Sequence, residues 1–360
     1  MPRFRHIHVH ELEAYGNSEA YGRLPTVPIT FSRIASQVQN PRASMEDLAL
    51  IVAEEESGEV LGFIGLLPDY LFTPERQKVY WISCWWTDTE RGKNLGIPLL
   101  YAAYKHSEGR LLADSIPDTL PIFEKSKLFH IPSPKKGLRL FLQPCFRKIV
   151  SRRGKLGPFG PAAVHWAEKW AKRFFAPVIW FNKKKRKYPD GFAVTSLPSV
   201  DEKTAKFIRS QSTGEPFQRE KEEMNWILRF PWLTVEKKGT PFYPFSQHVD
   251  SFASHLIHLS KDGVLHAFFF FTEREGSFKL PYVYFEPKYI LEVTQCIEAF
   301  LYEKGAEEFT CFHPILSDAL HSRFPFAYHH RLSYQYVWGK DLPLDDAAAF
   351  QDGDGDAIFT

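Results

Sequence analysis

Cysteine and methionine are scarce in this chain: its 360 residues include four of the first and three of the second. The cysteines, Cys84, Cys145, Cys296 and Cys311, stand far apart with no C-x-x-C pair. That excludes a disulfide framework and a cysteine zinc site, and four reduced thiols are expected. No apolar run approaches the ~18 to 20 residues that cross a bilayer, and the opening MPRFRHIHVHELEAYG lacks the uninterrupted apolar core of a signal peptide. A cytoplasmic chain is expected. Net charge is only +2, yet one stretch is almost empty of acidic residues. Between Lys135 and Lys187 sixteen Lys or Arg stand with the single acid Glu168, so this stretch carries +15 and the remainder −13. Such an asymmetry calls for a functional or structural reason.

What is present describes a globular chain. Hydrophobic residues at 44% and charged residues at 24% are ordinary, whereas 16% aromatic is high and points to large apolar contact surfaces. At roughly 150 residues per domain, 360 predicts about two domains. LALIVAEEE (48–56) and EVLGFIGLLPDYLF (59–72) read as a hairpin, and KVYWISCWW (78–86) as a third strand. A turn, TDTERGKNL, then leads into the helical pattern GIPLLYAAYKH, a strand RLLADSI, a short helix DTLPIFEKS and a strand GLRLFL. The second half repeats this order. FASHLIHLS and VLHAFFFFTE flank Lys261-Asp262-Gly263, followed by SFKLPYVYFE, YILEVTQCIEAFLYEKG, EEFTCFH, ILSDALHSR and LSYQYVWG. Between the two, Ser199 and Glu202 have capping-box spacing and predict a helix start.

Strand, glycine-bearing turn and helix in that order aim backbone N–H groups and the helix dipole at an anion. The turn here is Arg91-Gly92-Lys93-Asn94-Leu95-Gly96, directly after the third strand. Together with the element order, it resembles the GNAT superfamily of acyl-coenzyme A transferases, whose motif at this place is Arg/Gln-x-x-Gly-x-Gly/Ala. The resemblance implies tandem GNAT-like domains of α/β (α+β) class, with mixed, mostly antiparallel sheets flanked by helices. It also implies that amides of residues 91–96 hold the pyrophosphate of acetyl-coenzyme A, with the thioester arm along Trp85, Trp86 and Thr87 and no metal. Asn94 stands where the middle glycine is usual, and asparagine is the non-glycine residue most tolerant of left-handed backbone.

The acid–base pair of many members is missing from its usual positions. Phe123 falls where the superfamily often carries a tyrosine that protonates the leaving thiolate, and the third strand begins QKVYW, with Tyr80 where several place a glutamate. Candidates therefore come from strand ends facing a cleft: Asp69, Asp88, Asp114 and His130. Asp114 is the first choice as base, with Ser83 lining the same notch. In the second half YFEPKYILEVTQ has no glycine between strand and helix, which predicts a degenerate copy that shapes the acceptor site.

The expected boundaries are an acyl-CoA-binding domain at 1–146, a basic aromatic linker at 147–190, the degenerate domain at 191–345 and an acidic tail at 346–360. In AAVHWAEKWAKRFF (162–175), Ala163, Trp166, Ala167, Trp170 and Phe174 share one helical face, with Lys169, Lys172 and Arg173 elsewhere. Such a helix packs its tryptophans on one of the cores, lies in an anionic membrane surface, giving a location peripheral to the inner face of a membrane, or, as a third use, binds nucleic acid. His6, His8 and His10 alternate along a first strand and read as its polar face rather than a metal site. The ending QDGDGDAIFT, with Asp352, Asp354 and Asp356, has Ala357 in place of the sixth-position glycine of a calcium loop and no twelfth-position glutamate, and reads as a mobile tail.

The expected activity is acetyl transfer from coenzyme A to an amine or hydroxyl acceptor, either a small molecule or a glycan, envelope or polysaccharide precursor. Two rivals stand beside it: a Fem-type aminoacyl transferase with a tRNA donor, and a non-catalytic sensor of coenzyme A. The retained turn argues against a nucleic-acid donor, which needs no pyrophosphate cradle.

Overall fold

The computed structural model describes residues 2–72, 75–115, 117–153, 160–235, 241–324 and 328–359. The chain begins with β1 (Arg3–His8), the short helices α1 (Leu12–Gly16), α2 (Glu19–Gly22) and α3 (Phe31–Val38), then β2 (Leu48–Glu54), β3 (Val60–Leu71) and β4 (Gln77–Thr87). Next come α4 (Gly96–His106), β5 (Leu111–Ser115), α5 (Leu120–Ser126), β6 (Phe129–His130), β7 (Lys135–Phe141), α6 (Phe146–Arg153) and α7 (Pro161–Lys185). After β8 (Ala193–Leu197), α8 (Glu202–Gln211) and α9 (Lys221–Arg229) follow β9 (Phe252–Lys261), β10 (Val264–Arg274) and β11 (Ser277–Phe285). The chain closes with α10 (Ile290–Lys304), β12 (Glu308–Cys311), α11 (Pro314–Arg323) and β13 (Tyr328–Gly339). The strand and helix order read from the sequence is present in both halves.

These elements form two compact units, neither of them one stretch of sequence. The first holds Met1–Lys135, Ser199–Phe252 and Tyr334–Thr360; the second holds Lys136–Pro198 and Ala253–Ser333. Boundaries after residues 146, 190 and 345 therefore do not coincide with either unit. Apolar burial is the reason: Phe217, Trp226, Trp232 and Tyr243 from mid-chain, and Phe350, Ile358 and Phe359 from the end, are all buried in the first unit. The ending is accordingly packed rather than free, with Phe359 stacked on Trp232 at 4.5 Å between centroids. The helix expected near Ser199 is capped instead by Asp201, which accepts from the Thr204 amide at 2.8 Å.

In the first unit the strand order is β1-β2-β3-β4-β5 followed by the end of β13. β1 to β4 are antiparallel, β4 and β5 parallel, and β5 and β13 antiparallel. One face packs on α4 and α5 through Ile64, Ile82, Leu99, Leu100 and Phe123. The other carries Leu50, Phe63 and Cys84 under α1–α3 and Tyr243. In the second unit the order is β8-β9-β10-β11-β12-β7, with the start of β13 beside β7. Its β10 holds four successive buried phenylalanines, Phe268 to Phe271. Both of its faces are therefore covered, since successive side chains alternate. Each such ring contributes about 1.5–3 kcal/mol of burial.

Candidate functional site

The turn between β4 and α4 is built around Asp88 and Gly92. Asp88 Oδ1 accepts from the amides of Arg91 at 2.8 Å and Glu90 at 2.9 Å. Those two donors hold its carboxyl below the usual range, with the Arg91 amide the larger cause. The Gly92 amide returns to Asp88 O at 3.1 Å, and the Leu95 amide to Gly92 O at 2.9 Å. A Cβ on Gly92 would stand 2.3 Å from Leu61 O, so only glycine fits. Asn94 needs no special tolerance: the described non-glycine residues with positive φ are Glu108, Lys127, Asp262 and Glu275.

With Glu90, Arg91, Gly92 and Leu95 engaged internally, the amides of Lys93, Asn94, Gly96 and Ile97 have no protein partner among the described residues. No side chain caps α4, and Pro98 brings no donor of its own. Lys93, Asn94 and Ile97 are exposed. Unpaired amides at the N-terminus of an eleven-residue helix, beside a lysine, make a fitting cradle for a diphosphate. Arg91 is not part of it, because its guanidinium pairs with Glu59 and lies 3.6 Å from Glu55.

Upstream of the turn, β4 and β5 pair among the described residues at Tyr80–Leu111 and Trp81–Leu112, and then part. Among the described residues the β5-facing edge of residues 83–87 has no strand partner, so a ligand could complete its hydrogen bonds. On its other edge β4 has a bulge. Cys84 opposes Gly65 while Ile82 opposes Leu66, leaving Ser83 as the extra residue. Gly65 is required there, since a Cβ would meet Cys84 Sγ at 2.6 Å and Ser83 Oγ at 2.8 Å. Trp85 packs on Phe123 at 5.9 Å and Trp86 on Phe63 at 5.5 Å, so the two tryptophans brace opposite faces of the same strand. Thr87 is half-buried at its end.

Asp114, at the end of β5, accepts a hydrogen bond from the Tyr334 hydroxyl of β13 at 2.6 Å. Burial, then the Asp114 carboxylate, pushes the Tyr334 phenol well above its ordinary value, so it remains a proton donor at neutral pH. Ser83 is buried in the bulge, with its carbonyl accepting from Arg33 Nη1 at 3.1 Å. Tyr80 lies in the α4-side cluster and donates to Asp47 at 2.9 Å, whereas Phe63 and Cys84 line the other face. The structure brings Asp114 and Tyr334 together and directs Tyr80 to a separate partner. Asp69 is engaged by Arg42 and Arg219, and His130 by Asp346 at 2.6 Å. His8 and His10 are tied to the Glu46 and Met45 carbonyls, and no cluster fit to hold a metal occurs among the described residues.

Several functional candidates were not apparent from the sequence. Arg33, buried on α3, lies 4.0 Å over the Trp232 ring and 5.2 Å over Tyr243, and its Nε has no hydrogen-bond partner among the described residues. Ahead of it, Thr30 and Phe31 line a cavity of about 300 Å³ together with Tyr21, Val27, Thr234 and His248. Arg42, Asp69, Glu223, Arg219 and Asp354 form a buried charge network, with Arg219 to Asp354 at 2.9 Å and Arg42 to Glu223 at 2.8 Å. Tyr334 had a readable signal: Tyr334, Tyr336 and Trp338 alternate and so share one face of β13.

This architecture has known counterparts. A GCN5-related N-acetyltransferase from Anabaena variabilis matches over 93% of this chain and 72% of its own, at TM-score 0.51 and 10% identity. One from Kribbella flavida matches over 93% and 70%, at 0.50 and 10%. The fold is that of the GCN5-related N-acetyltransferases. Saccharomyces cerevisiae N-myristoyltransferase with bound myristoyl-CoA is similar over 98% of this chain and 83% of its own, at 0.51 and 13% identity. At these identities the likeness is one of fold. No protein-family model matches the sequence, and no curated protein matches it. Within this N-acetyltransferase fold, the parted strands, the bulge and the turn all belong to the first unit.

Proposed function

We propose that the first unit is an acyltransferase whose donor is an acyl-coenzyme A, with the acetyl group as the transferred acyl. The observation that carries this reading is the parting of β4 from β5 immediately before a turn with four amides that have no partner among the described residues. Amides of Lys93, Asn94, Gly96 and Ile97, with the Lys93 ammonium, hold the diphosphate; the free edge of residues 83–87 holds the amide-bearing arm. The thioester supplies an electrophilic carbon and a thiolate leaving group. The acceptor is an amine or a hydroxyl. Asp114 takes the proton it loses as the new bond forms, and Tyr334 gives its phenolic proton to the departing sulfur as the C–S bond breaks. Proton return from Asp114 to Tyr334, along the hydrogen bond already present, resets the pair. The cavity beside Thr30, Phe31 and His248 is the proposed acceptor pocket, of a size for a small molecule or the end of a larger one.

Isothermal calorimetry with coenzyme A and acetyl-coenzyme A, joined to a free-thiol release assay over a panel of amines and hydroxyls, tests the reading. Saturable binding in the micromolar range with acceptor-dependent thiol release supports it. Binding without turnover across the panel marks a sensor instead. No binding removes the donor assignment and the acyl-transfer reading with it.

A further inference from the structure

The second unit carries an aromatic surface that acyl transfer does not use. Helix α7 runs for twenty-five residues from Pro161 to Lys185 and turns one face inward. Glu168 on that face is buried, accepting from the Arg147 amide at 2.8 Å and pairing with Lys172, which also reaches Glu307. Val164, Ala171, Ile179 and Asn182 are half-buried on the same side. At about 100° per residue, Trp166, Trp170, Phe174 and Phe181 lie roughly 160–240° around the helix from Glu168, on the opposite side. They are 58%, 64%, 80% and 58% exposed. The tryptophans therefore do not pack on a core.

Charge identifies what covers them. The margins of the aromatic strip carry Lys169, Arg173 and Lys184, with Lys185 and Lys187 at the helix end, and the acid Glu168 is turned away. Lys169 Nζ rests 5.6 Å over the Trp166 ring and Lys184 Nζ 4.1 Å over Trp180. Tryptophan rings rimmed by lysine are the composition of a helix lying at a lipid headgroup layer, with the rings entering the acyl boundary and the ammonium groups meeting anionic headgroups. A spanning role is excluded for α7, because no described helix is long and apolar enough to cross a membrane. We infer that α7 docks the protein onto an anionic bilayer surface through Trp166, Trp170, Phe174 and Phe181.

The test uses the full chain and sedimentation with sucrose-loaded vesicles of phosphatidylcholine alone or with 30% phosphatidylglycerol. Two variants accompany it: Trp166→Ser/Trp170→Ser/Phe174→Ser, and Lys169→Glu/Arg173→Glu/Lys184→Glu. All six positions are exposed, so unchanged thermal melting is expected and is checked first. The anionic vesicles should bind the natural chain at least tenfold more tightly than the neutral ones, and each variant should lose tenfold or more. Tryptophan emission should shift to the blue on the anionic vesicles, with the shift reduced in the serine variant. Equal binding to both vesicle types, or undiminished binding by the serine variant, overturns the inference. So does sedimentation equilibrium showing that the natural chain dimerises through this face without lipid while the serine variant is monomeric, because the occupant is then a second copy. Donor binding in the first unit is measured separately by calorimetry, so failure here leaves that reading standing.

Discussion

Asp114 and Tyr334 illustrate how a pair becomes visible only when two distant segments meet. Their sequence positions are 220 apart, yet the hydrogen bond between them is 2.6 Å. Asp114→Asn is expected to lower kcat by about a hundredfold or more, with donor affinity unchanged, because it removes the proposed proton acceptor and leaves the turn intact. Tyr334→Phe should reduce kcat similarly while shifting little in KM; steady-state kinetics on the two variants checks both. Asp114 was readable as a strand end and Gly92 as a turn glycine. The Tyr334 contact depends on β13 lying beside β5, which no local pattern specifies. Gly92→Ala forces a Cβ to 2.3 Å from Leu61 O. It should therefore weaken coenzyme A binding at least tenfold and destabilise the first unit by roughly 1–3 kcal/mol, read by calorimetry and urea unfolding.

Elements explain which parts of the site were legible. The strands β2 to β5, α4 and α5 follow from apolar runs, β-branched and aromatic content, helical spacing and turn residues, and they carry the proposed donor side of the site. The cavity proposed for the acceptor is made from α3 and the segment around Thr234 to His248, short elements placed by packing rather than periodicity. The buried charges belong to this scale too. Arg219 joins the loop before α9 to Asp69 on β3 at 3.0 Å and to Asp354 near the chain end at 2.9 Å. Arg219→Ala leaves buried Asp354 without its cation and Asp69 with Arg42 alone, and should cost about 3–5 kcal/mol in chemical unfolding, more than a surface ion pair would. Burial alone would raise Asp69, but Arg219 and Arg42 outweigh it and keep its carboxyl below the usual range.

At the scale of the whole molecule, sequence order and spatial unit part company. Residues 199–252 and the chain end return to the first unit because their aromatic side chains have a sheet to cover there. An ending that reads as acidic and mobile is held by Phe350, Ile358 and Phe359, while Gln351 Nε2 donates to Glu215 at 2.7 Å. Burial, then the neighbouring Asp354, pushes the Glu215 carboxyl up to about 8. The folded chain thus keeps a proton that the unfolded chain releases near its ordinary value. Stability from this group is full at low pH, falls as pH rises from roughly 4.5 toward 8, and then levels. Glu215→Gln should flatten that slope in urea unfolding measured from pH 5 to 8, and an unchanged slope would place the titration elsewhere.

The account rests on the main-chain donors between Lys93 and Ile97, and a crystal soaked with coenzyme A tests them most directly. Diphosphate density within hydrogen-bond reach of those amides, with the arm lying along residues 83–87 of β4, is the predicted result. Coenzyme A bound away from the turn, or no density there at saturating ligand in an accessible lattice, would contradict it.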